Sequence, residues 1–378
     1  MLQRNLGLDM VRSLSIIMVI ISHSKSFFLP HVQNQTFLLN LSILGLYAVE
    51  TFFVLSGFLI GGIIMREIPF PATWPYLRRF FLRRWLRTLP AYYLVLVGLL
   101  LIYHATLGMT SWHWRHFVFL QNFDVQELGF FGVSWTLALE EWFYLLAPLT
   151  LALFLRRPEH VATRLPWLMI GAFTVMLFSR YIYVLAMNPS WDSGVRKFIP
   201  IRFDPLFFGI GVAWIKQYQP AVYRILAGKF TFGACLSGLI GIGYYYAGKF
   251  PTPALLDTSI FARVWSFSLI AFFLAATLPF FEQSQFVNRR MASFAPTRIF
   301  FSRTSRYAYM IYLIHLDVFI ALFDRGTSLI SATGWLVFAL LVSCPVAILL
   351  HHYYEKPIMD LRDRLPELPE PKQVTPTN

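Results

Sequence analysis

The sequence has 378 residues, of which 57% are hydrophobic and only 13% are charged. A soluble domain carries about 25% charged residues, so the composition excludes a soluble enzyme or binding domain and predicts an all-α, polytopic integral membrane protein. The net charge of +13 would favour nucleic-acid binding in a soluble protein. Here the basic residues cluster between apolar segments, as the positive-inside rule predicts, and no nucleic-acid partner is expected.

Hydropathy predicts about ten transmembrane helices, at 8–28, 41–65, 88–108, 134–155, 166–187, 202–216, 229–248, 264–281, 306–323 and 332–353. With both termini in the cytoplasm, 22 of the 32 Lys and Arg residues fall in inner segments and seven in outer ones. This bias supports the ten-span topology. We expect a membrane domain over 1–364 and a disordered cytoplasmic tail over 365–378, which is rich in proline and polar residues.

The first span carries three ionisable residues, Asp9, Arg12 and His23. Such groups are costly inside a bilayer and are therefore candidates for function. Arg12 and His23 are separated by about three helical turns, so they share one face and lie about 16 Å apart along the axis. Asp9 lies one turn before Arg12 on the same side. The first helix thus presents a polar face with a fixed cation and a titratable imidazole.

The second span contains Glu50 near its outer end and Ser56 followed by Gly57 near its middle. Small residues are common where membrane helices pack closely, and packing explains Ser56 and Gly57 when they are considered alone. Glu50 has no such explanation, although an interfacial position would make its charge inexpensive.

A basic stripe precedes the third span. Arg79, Arg83 and Arg87 recur every four residues and share one helix face, with Arg84 adjacent to it. The stripe fits an amphipathic helix on anionic membrane lipids. It also fits a surface that binds a polyanion such as a nucleotide phosphate, because planar guanidinium groups give bidentate contacts. The two interpretations are compatible.

The fourth span opens with two adjacent carboxylates, Glu140 and Glu141, flanked by Trp135 and Tyr144. A glutamate pair at that depth needs a cation, a water-filled cavity or protonation. Adjacent helix positions differ by about 100°, so at most one of the pair can point squarely into a given cavity.

Three further candidates lie in later spans. Arg202 and Asp204 open the short sixth span, where a local ion pair is as good an explanation as catalysis. His315 follows Tyr312 on one face of the ninth span, and a packing role or a catalytic role is open for it. The two cysteines, Cys235 and Cys344, show no metal-ligand spacing, and no metal site is predicted.

Together these stretches resemble the membrane-bound acyltransferase-3 family. The chain segments that correspond in order to the family motifs are LDMVR…ISH, VETFFVLSGFLI, YLRRFFLRRWLRTLP, SWTLALEEWFYLLAPL, RFDPLFFGI, YAYMIYLIH and YYEKPIMDL. Arg12 and His23 fit the spacing of the family's opening basic residue and histidine. The chain departs from the family's usual LDGLRG pattern at Met10 and Ser13, which we expect to affect helix packing more than chemistry.

The resemblance implies an enzyme that transfers an acyl group, with acetyl expected, from acyl-CoA to a hydroxyl of a cell-envelope sugar or glycan in the bacterial inner membrane. No permanently bound cofactor is expected. His23 would act as general base or as a transient acyl carrier, and Glu141, or alternatively Glu140, would orient it. Arg12 and the Arg79–Arg87 stripe would hold the donor. The residues expected to support substrate or structure are Asp9, Glu50, Ser56, Trp135, Tyr144, Arg202, Asp204 and His315.

A transporter or flippase for a glycan or small molecule is the main alternative, since intramembrane charges are equally natural there. Such a protein would move its substrate without consuming acyl-CoA. No inverted repeat is visible in the sequence, and its charges concentrate on the first and fourth spans.

Overall fold

A computed structural model describes residues 5–33, 36–108, 113–123, 127–249, 253–366 and 368–369. These ranges form helices and turns and contain no strand. Fourteen α-helices are present in them: α1 (Leu6–Ser24), α2 (Thr36–Glu67), α3 (Trp74–Leu107), α4 (Ser134–Phe154), α5 (Pro158–Thr163), α6 (Leu165–Met187), α7 (Asp204–Tyr218), α8 (Pro220–Leu226), α9 (Lys229–Lys249), α10 (Pro253–Leu256), α11 (Ser266–Gln283), α12 (Ala295–Leu322), α13 (Leu329–Leu350) and α14 (Lys356–Asp363). The prediction of an all-α polytopic fold is confirmed.

Eight helices in the described ranges are long and apolar enough to cross a membrane. The number rises to nine if α8 and α9, which meet at a 58° bend, form one span. The predicted sixth span corresponds to α7, which has only 15 residues. At 1.5 Å per residue α7 is about 22 Å long, shorter than the roughly 30 Å hydrocarbon core. The count of ten spans therefore stays a prediction. It exceeds the nine candidate spans of the structure by one helix, α7.

Helix α7 packs against α2 with a close approach of the two backbones. An added Cβ on Gly57 would lie 2.2 Å from the carbonyl oxygen of Leu206. An added Cβ on Gly209 would likewise lie 2.2 Å from the carbonyl oxygen of Val54. Side chains at either glycine would push the helices apart, as expected at a close membrane-helix crossing. The packing interpretation of Gly57 agrees with this geometry.

A cluster of four charged side chains joins α2, α6 and α7. Arg202 contacts Glu50, and its Nη1 lies 2.6 Å from Asp204 Oδ1. Arg180 Nη2 lies 2.9 Å from the same Asp204 oxygen. All four side chains are 0% exposed, and two positive charges balance two negative ones. The local ion pair of Arg202 and Asp204 is therefore present, and Glu50 is fully buried within the protein.

Helix α1 packs between α2, α11 and α12. The buried hydroxyl of Ser13 donates to the carbonyl oxygen of Phe301 in α12 at 2.9 Å. Ser13, one of the two departures from the family pattern, thus ties two helices together. Of the predicted tail, residues 365, 366, 368 and 369 are described, and the Tyr76 hydroxyl donates to the Pro369 carbonyl at 2.8 Å. The other tail positions lie outside the described residues.

Candidate active site

A cavity of about 470 Å³ lies between α1, α2, α3, α4 and α12, with α14 along one edge. On α1, α3, α12 and α14 the lining residues include positions near the ends that the charge distribution assigns to the cytoplasmic side, whereas those on α4 come from its first three turns, toward the predicted outer side. The sequence-predicted residues that line it are Asp9, Arg12, Ser56, Arg87, Glu140 and Tyr144. The predicted residues outside its lining are His23, Glu50, Arg79, Arg83, Trp135, Glu141, Arg202, Asp204 and His315.

Arg12 and Asp9 are joined by a serine from α12. Arg12 Nη1 donates to Ser305 Oγ at 3.0 Å, and Ser305 Oγ donates to Asp9 Oδ1 at 2.8 Å. Arg12 and Asp9 themselves lie 3.7 Å apart, and the Arg12 side chain is 22% exposed. The guanidinium is thus held in a fixed position at the cavity wall while part of it remains accessible. Sequence spacing placed Arg12 and Asp9 together but could not reveal that Ser305 lies between them.

Arginines from three other helices also line the cavity. They are Arg84 and Arg87 from α3, Arg306 from α12 and Arg362 from α14. The Arg84 guanidinium stacks over the Tyr144 ring at 4.0 Å and donates to the Tyr144 hydroxyl, which also contacts Ser56. The predicted stripe is therefore divided. Arg87 faces the cavity, whereas Arg83 turns toward α14, with its Nη2 3.9 Å from Asp363 Oδ1.

Helical geometry explains this division. Arg84, Arg87 and Thr88 stand at positions i, i+3 and i+4, which share one face of a helix. The same spacing rule that suggested the stripe could have found this face. Arg306 and Arg362 had no comparable signal, because the sequence places them in a loop cluster and near the tail.

The two adjacent glutamates diverge as their 100° offset requires. Glu140 lines the cavity. Glu141 is buried, and its Oε1 accepts a hydrogen bond from Thr88 Oγ1 at 2.7 Å. The structure brings Glu140, the second choice from sequence, into the cavity wall.

His23 lies beyond the cavity, packed against a second histidine. The ring centroids of His23 and His315 are 5.3 Å apart and tilted by 57°. Tyr312 connects this pair to the cavity, because it lines the cavity and its ring centroid lies 5.9 Å from that of His315. The Tyr312 hydroxyl shares a hydrogen bond of 2.8 Å with Thr136, another lining residue. The sequence suggested that Glu141 orients His23. In the structure the His23 ring packs on the ring of His315, and Glu141 accepts a hydrogen bond from Thr88.

A cluster of charged and aromatic side chains lies on the predicted outer side. Arg196 lies between the rings of Trp135 and Trp191, at 4.8 Å and 5.6 Å from their centroids. Asp192 contacts both Arg196 and Lys197. Partial burial alone would raise the pKa of Asp192, but these two cations hold it below its ordinary value. Trp135 thus supports an arginine that the sequence did not single out.

No group of three His, Cys, Asp or Glu side chains in the described ranges is arranged to hold a metal ion. Comparison with protein families gives a clear result. A family model described as an acyltransferase domain matches residues 5–352, which is nearly the whole chain. The chain belongs to the acyltransferase-3 family. This membrane acyltransferase therefore transfers acyl groups other than aminoacyl groups. No curated protein and no solved structure matches it.

Proposed function

We propose that this acyltransferase moves an acetyl group from acetyl-CoA to a hydroxyl of a cell-envelope sugar, as an enzyme of the bacterial inner membrane. One observation carries the proposal. One cavity connects a group of arginines at its predicted cytoplasmic end to Tyr312, whose ring lies against that of His315, the partner of His23. A nucleotide donor needs cations for its phosphates, and acyl transfer needs a base near the hydroxyl.

The arginines suited to hold the donor phosphates are Arg87, Arg306 and Arg362. In the described part of the chain, no carboxylate lies within 4 Å of the guanidinium nitrogens of Arg87 or Arg306. Arg362 contacts Asp363 at 2.8 Å, outside the cavity lining. Two of the carboxylates that line the cavity already have partners, since Asp9 is held by Ser305 and Glu355 lies 2.8 Å from His351. The wall therefore offers cations that an anionic ligand can neutralise.

Arg12 would bind the donor farther along the cavity, near the pantetheine arm. His23 lies about 16 Å beyond Arg12 along α1, so a donor with its phosphates at the arginines can direct its thioester toward the histidine pair. Ser305 and Asp9 would keep Arg12 from swinging away.

In direct transfer, one ring nitrogen of His23 takes the proton of the sugar hydroxyl while the oxygen attacks the thioester carbonyl. The C–O bond forms, the C–S bond breaks, and the CoA thiolate takes the proton back from the imidazolium. If His23 instead carries the acyl group, its nitrogen attacks the thioester carbonyl and the C–S bond breaks to give CoA thiolate. The sugar oxygen then attacks the acyl carbon, the C–N bond breaks, and the hydroxyl proton passes to the thiolate. Both routes leave His23 unchanged and release CoA with a free thiol.

The test uses purified protein in lipid vesicles with acetyl-CoA and a panel of methyl glycosides. Thiol release that depends on the sugar, with a matching ester on that sugar, would support the proposal. His23→Ala should lower the rate by about 100-fold or more. Ser24→Ala is a matched control, because among the described residues the Ser24 hydroxyl has one hydrogen bond, to the Ile21 carbonyl of its own helix. Sugar movement across the vesicles without thiol release would overturn the proposal and support a transporter.

A further inference from the structure

We propose that His315 is a positioning residue whose Nε2 accepts the N–H of His23, thereby fixing the tautomer in which His23 works. This inference rests on the proposed role of His23. The rings of His23 and His315 are in contact and belong to α1 and α12, which pack side by side.

The backbone of α12 determines the protonation of His315. Its Nδ1 lies 2.9 Å from the carbonyl oxygen of Tyr312 and 3.1 Å from that of Ile311. Carbonyl oxygens only accept hydrogen bonds, so Nδ1 must carry the hydrogen. In the neutral ring, Nε2 then carries a lone pair and no hydrogen.

That lone pair is buried without a donor. His315 is 0% exposed, and its Nε2 has no hydrogen-bond partner among the described residues. A buried acceptor left unpaired costs free energy, so a nearby donor should be drawn to it. The rings packed on His315 are those of Tyr312, Phe319 and His23.

Of these three rings, His23 is the one that can supply the hydrogen. Phe319 has no donor, and the Tyr312 hydroxyl is engaged with Thr136 at 2.8 Å. The centroid distance of 5.3 Å is short enough for a His23 ring nitrogen that faces His315 Nε2 to lie within about 3 Å of it, which is hydrogen-bond range. Neighbouring contacts hold the helices at that distance, including the edge-to-face pair of Phe27 and Phe319 at 5.4 Å.

The arrangement has a chemical consequence. Once one nitrogen of His23 donates to His315, the other nitrogen must carry the lone pair that a base or nucleophile needs. When His23 takes up a proton, the hydrogen bond from its N–H to His315 Nε2 becomes stronger, because the donor is now charged. The proton stays on His23, because a charge on the fully buried His315 ring would be costly. His315 would thus do for His23, as a neutral acceptor, what a carboxylate does in many catalytic triads.

Two substitutions separate this role from a purely structural one. In His315→Asn the amide N–H can replace Nδ1 and still donate to the α12 carbonyls, but the Nε2 acceptor is lost. In His315→Gln the amide oxygen reaches the Nε2 position, but the bond to the carbonyls is lost. Vesicle-bound variants would be compared for acetyl-CoA thiol release with the glycoside panel, and for CoA binding by calorimetry.

We expect His315→Gln to retain activity within about tenfold and His315→Asn to fall by about 100-fold in kcat, with CoA affinity unchanged in both. Equal losses, or better activity in His315→Asn, would overturn the proposal and leave His315 as a brace of the α12 backbone.

A measurement on the unmodified protein tests the inference even if the variants fail to fold or no glycoside is acylated. Nitrogen NMR of protein labelled with ¹⁵N-histidine should show both rings as single tautomers, with Nδ1 of His315 protonated and its Nε2 hydrogen-bonded. Protonation of Nε2, or free exchange between tautomers at His23, would refute the inference. Absence of acyl transfer alongside the expected spectrum would refute only the proposed function.

Discussion

Two groups of charged side chains in this membrane acyltransferase differ in charge balance and in exposure. The cluster of Glu50, Arg180, Arg202 and Asp204 is 0% exposed and neutral overall. The cavity wall instead contains five arginines, some of them exposed, and three carboxylates. One member of each group, Glu50 and Glu140, looks alike in the sequence, where each is a costly charge in an apolar span. Charge balance and exposure distinguish a structural brace from a binding surface.

The largest expected effect comes from breaking the balanced cluster. Arg202→Ala should lower the free energy of unfolding by about 3–5 kcal/mol, because it leaves two buried carboxylates with one cation. Thermal unfolding in detergent measures the effect.

A double variant serves as the control. Glu50→Gln with Arg202→Met removes one positive and one negative charge together, so it should be more stable than Arg202→Ala. If the single variant were as stable as the unmodified protein, the cluster would not be the brace described here.

Substitutions at the cavity should affect ligand binding and not folding. Arg306→Ala should weaken CoA binding by about 2 kcal/mol, the usual size of a hydrogen bond to a charged group. Arg303→Ala is the matched control, since Arg303 is exposed one turn earlier on α12 and does not line the cavity. Calorimetry on both variants would decide, and equal losses would argue for general surface attraction.

A smaller loss is expected at the serine that joins Asp9 and Arg12. Ser305→Ala removes both of its hydrogen bonds and lets the guanidinium move, so CoA affinity should fall by about 1 kcal/mol. Ser343→Ala is a suitable comparison, because in the described part of the chain that buried hydroxyl has a single hydrogen bond, to the Ala339 carbonyl of its own helix. Unaltered affinity in Ser305→Ala would show that Arg12 does not need this support.

The smallest effect should appear at the predicted outer surface, which tests whether exposure weakens an ion cluster. The pKa of Asp192 is depressed, so its stabilising contribution is present above its unfolded pKa of about 3.9 and is lost as pH falls. Asp192→Asn should therefore lower stability at pH 7 by less than about 1 kcal/mol, since the carboxylate is half-exposed. Thermal unfolding at pH 7 and pH 3 should show the difference shrinking in acid.

Sequence reasoning predicted what depends on local spacing. The hydropathy of long apolar stretches predicted the membrane helices, and the helical repeat placed Asp9 and Arg12 on one face, where the structure joins them. The site itself depends on contacts between distant segments. Ser305 is 293 residues from Arg12, and no local pattern could pair them. The same reason hid the contact of His315 with His23, although both residues were singled out.

Asn5 and Arg362 line the same cavity, although they stand near opposite ends of the described chain. The wall is therefore incomplete until α14 has been synthesised and has docked on α3, where Asp363 meets Arg83. A ribosome-bound chain that lacks α14 has α1, α2, α3, α4 and α12 around an unfinished site. Such a chain lacks Arg362, one of the five arginines of the cavity wall, so the full set of cations in the site forms only after α14 has docked.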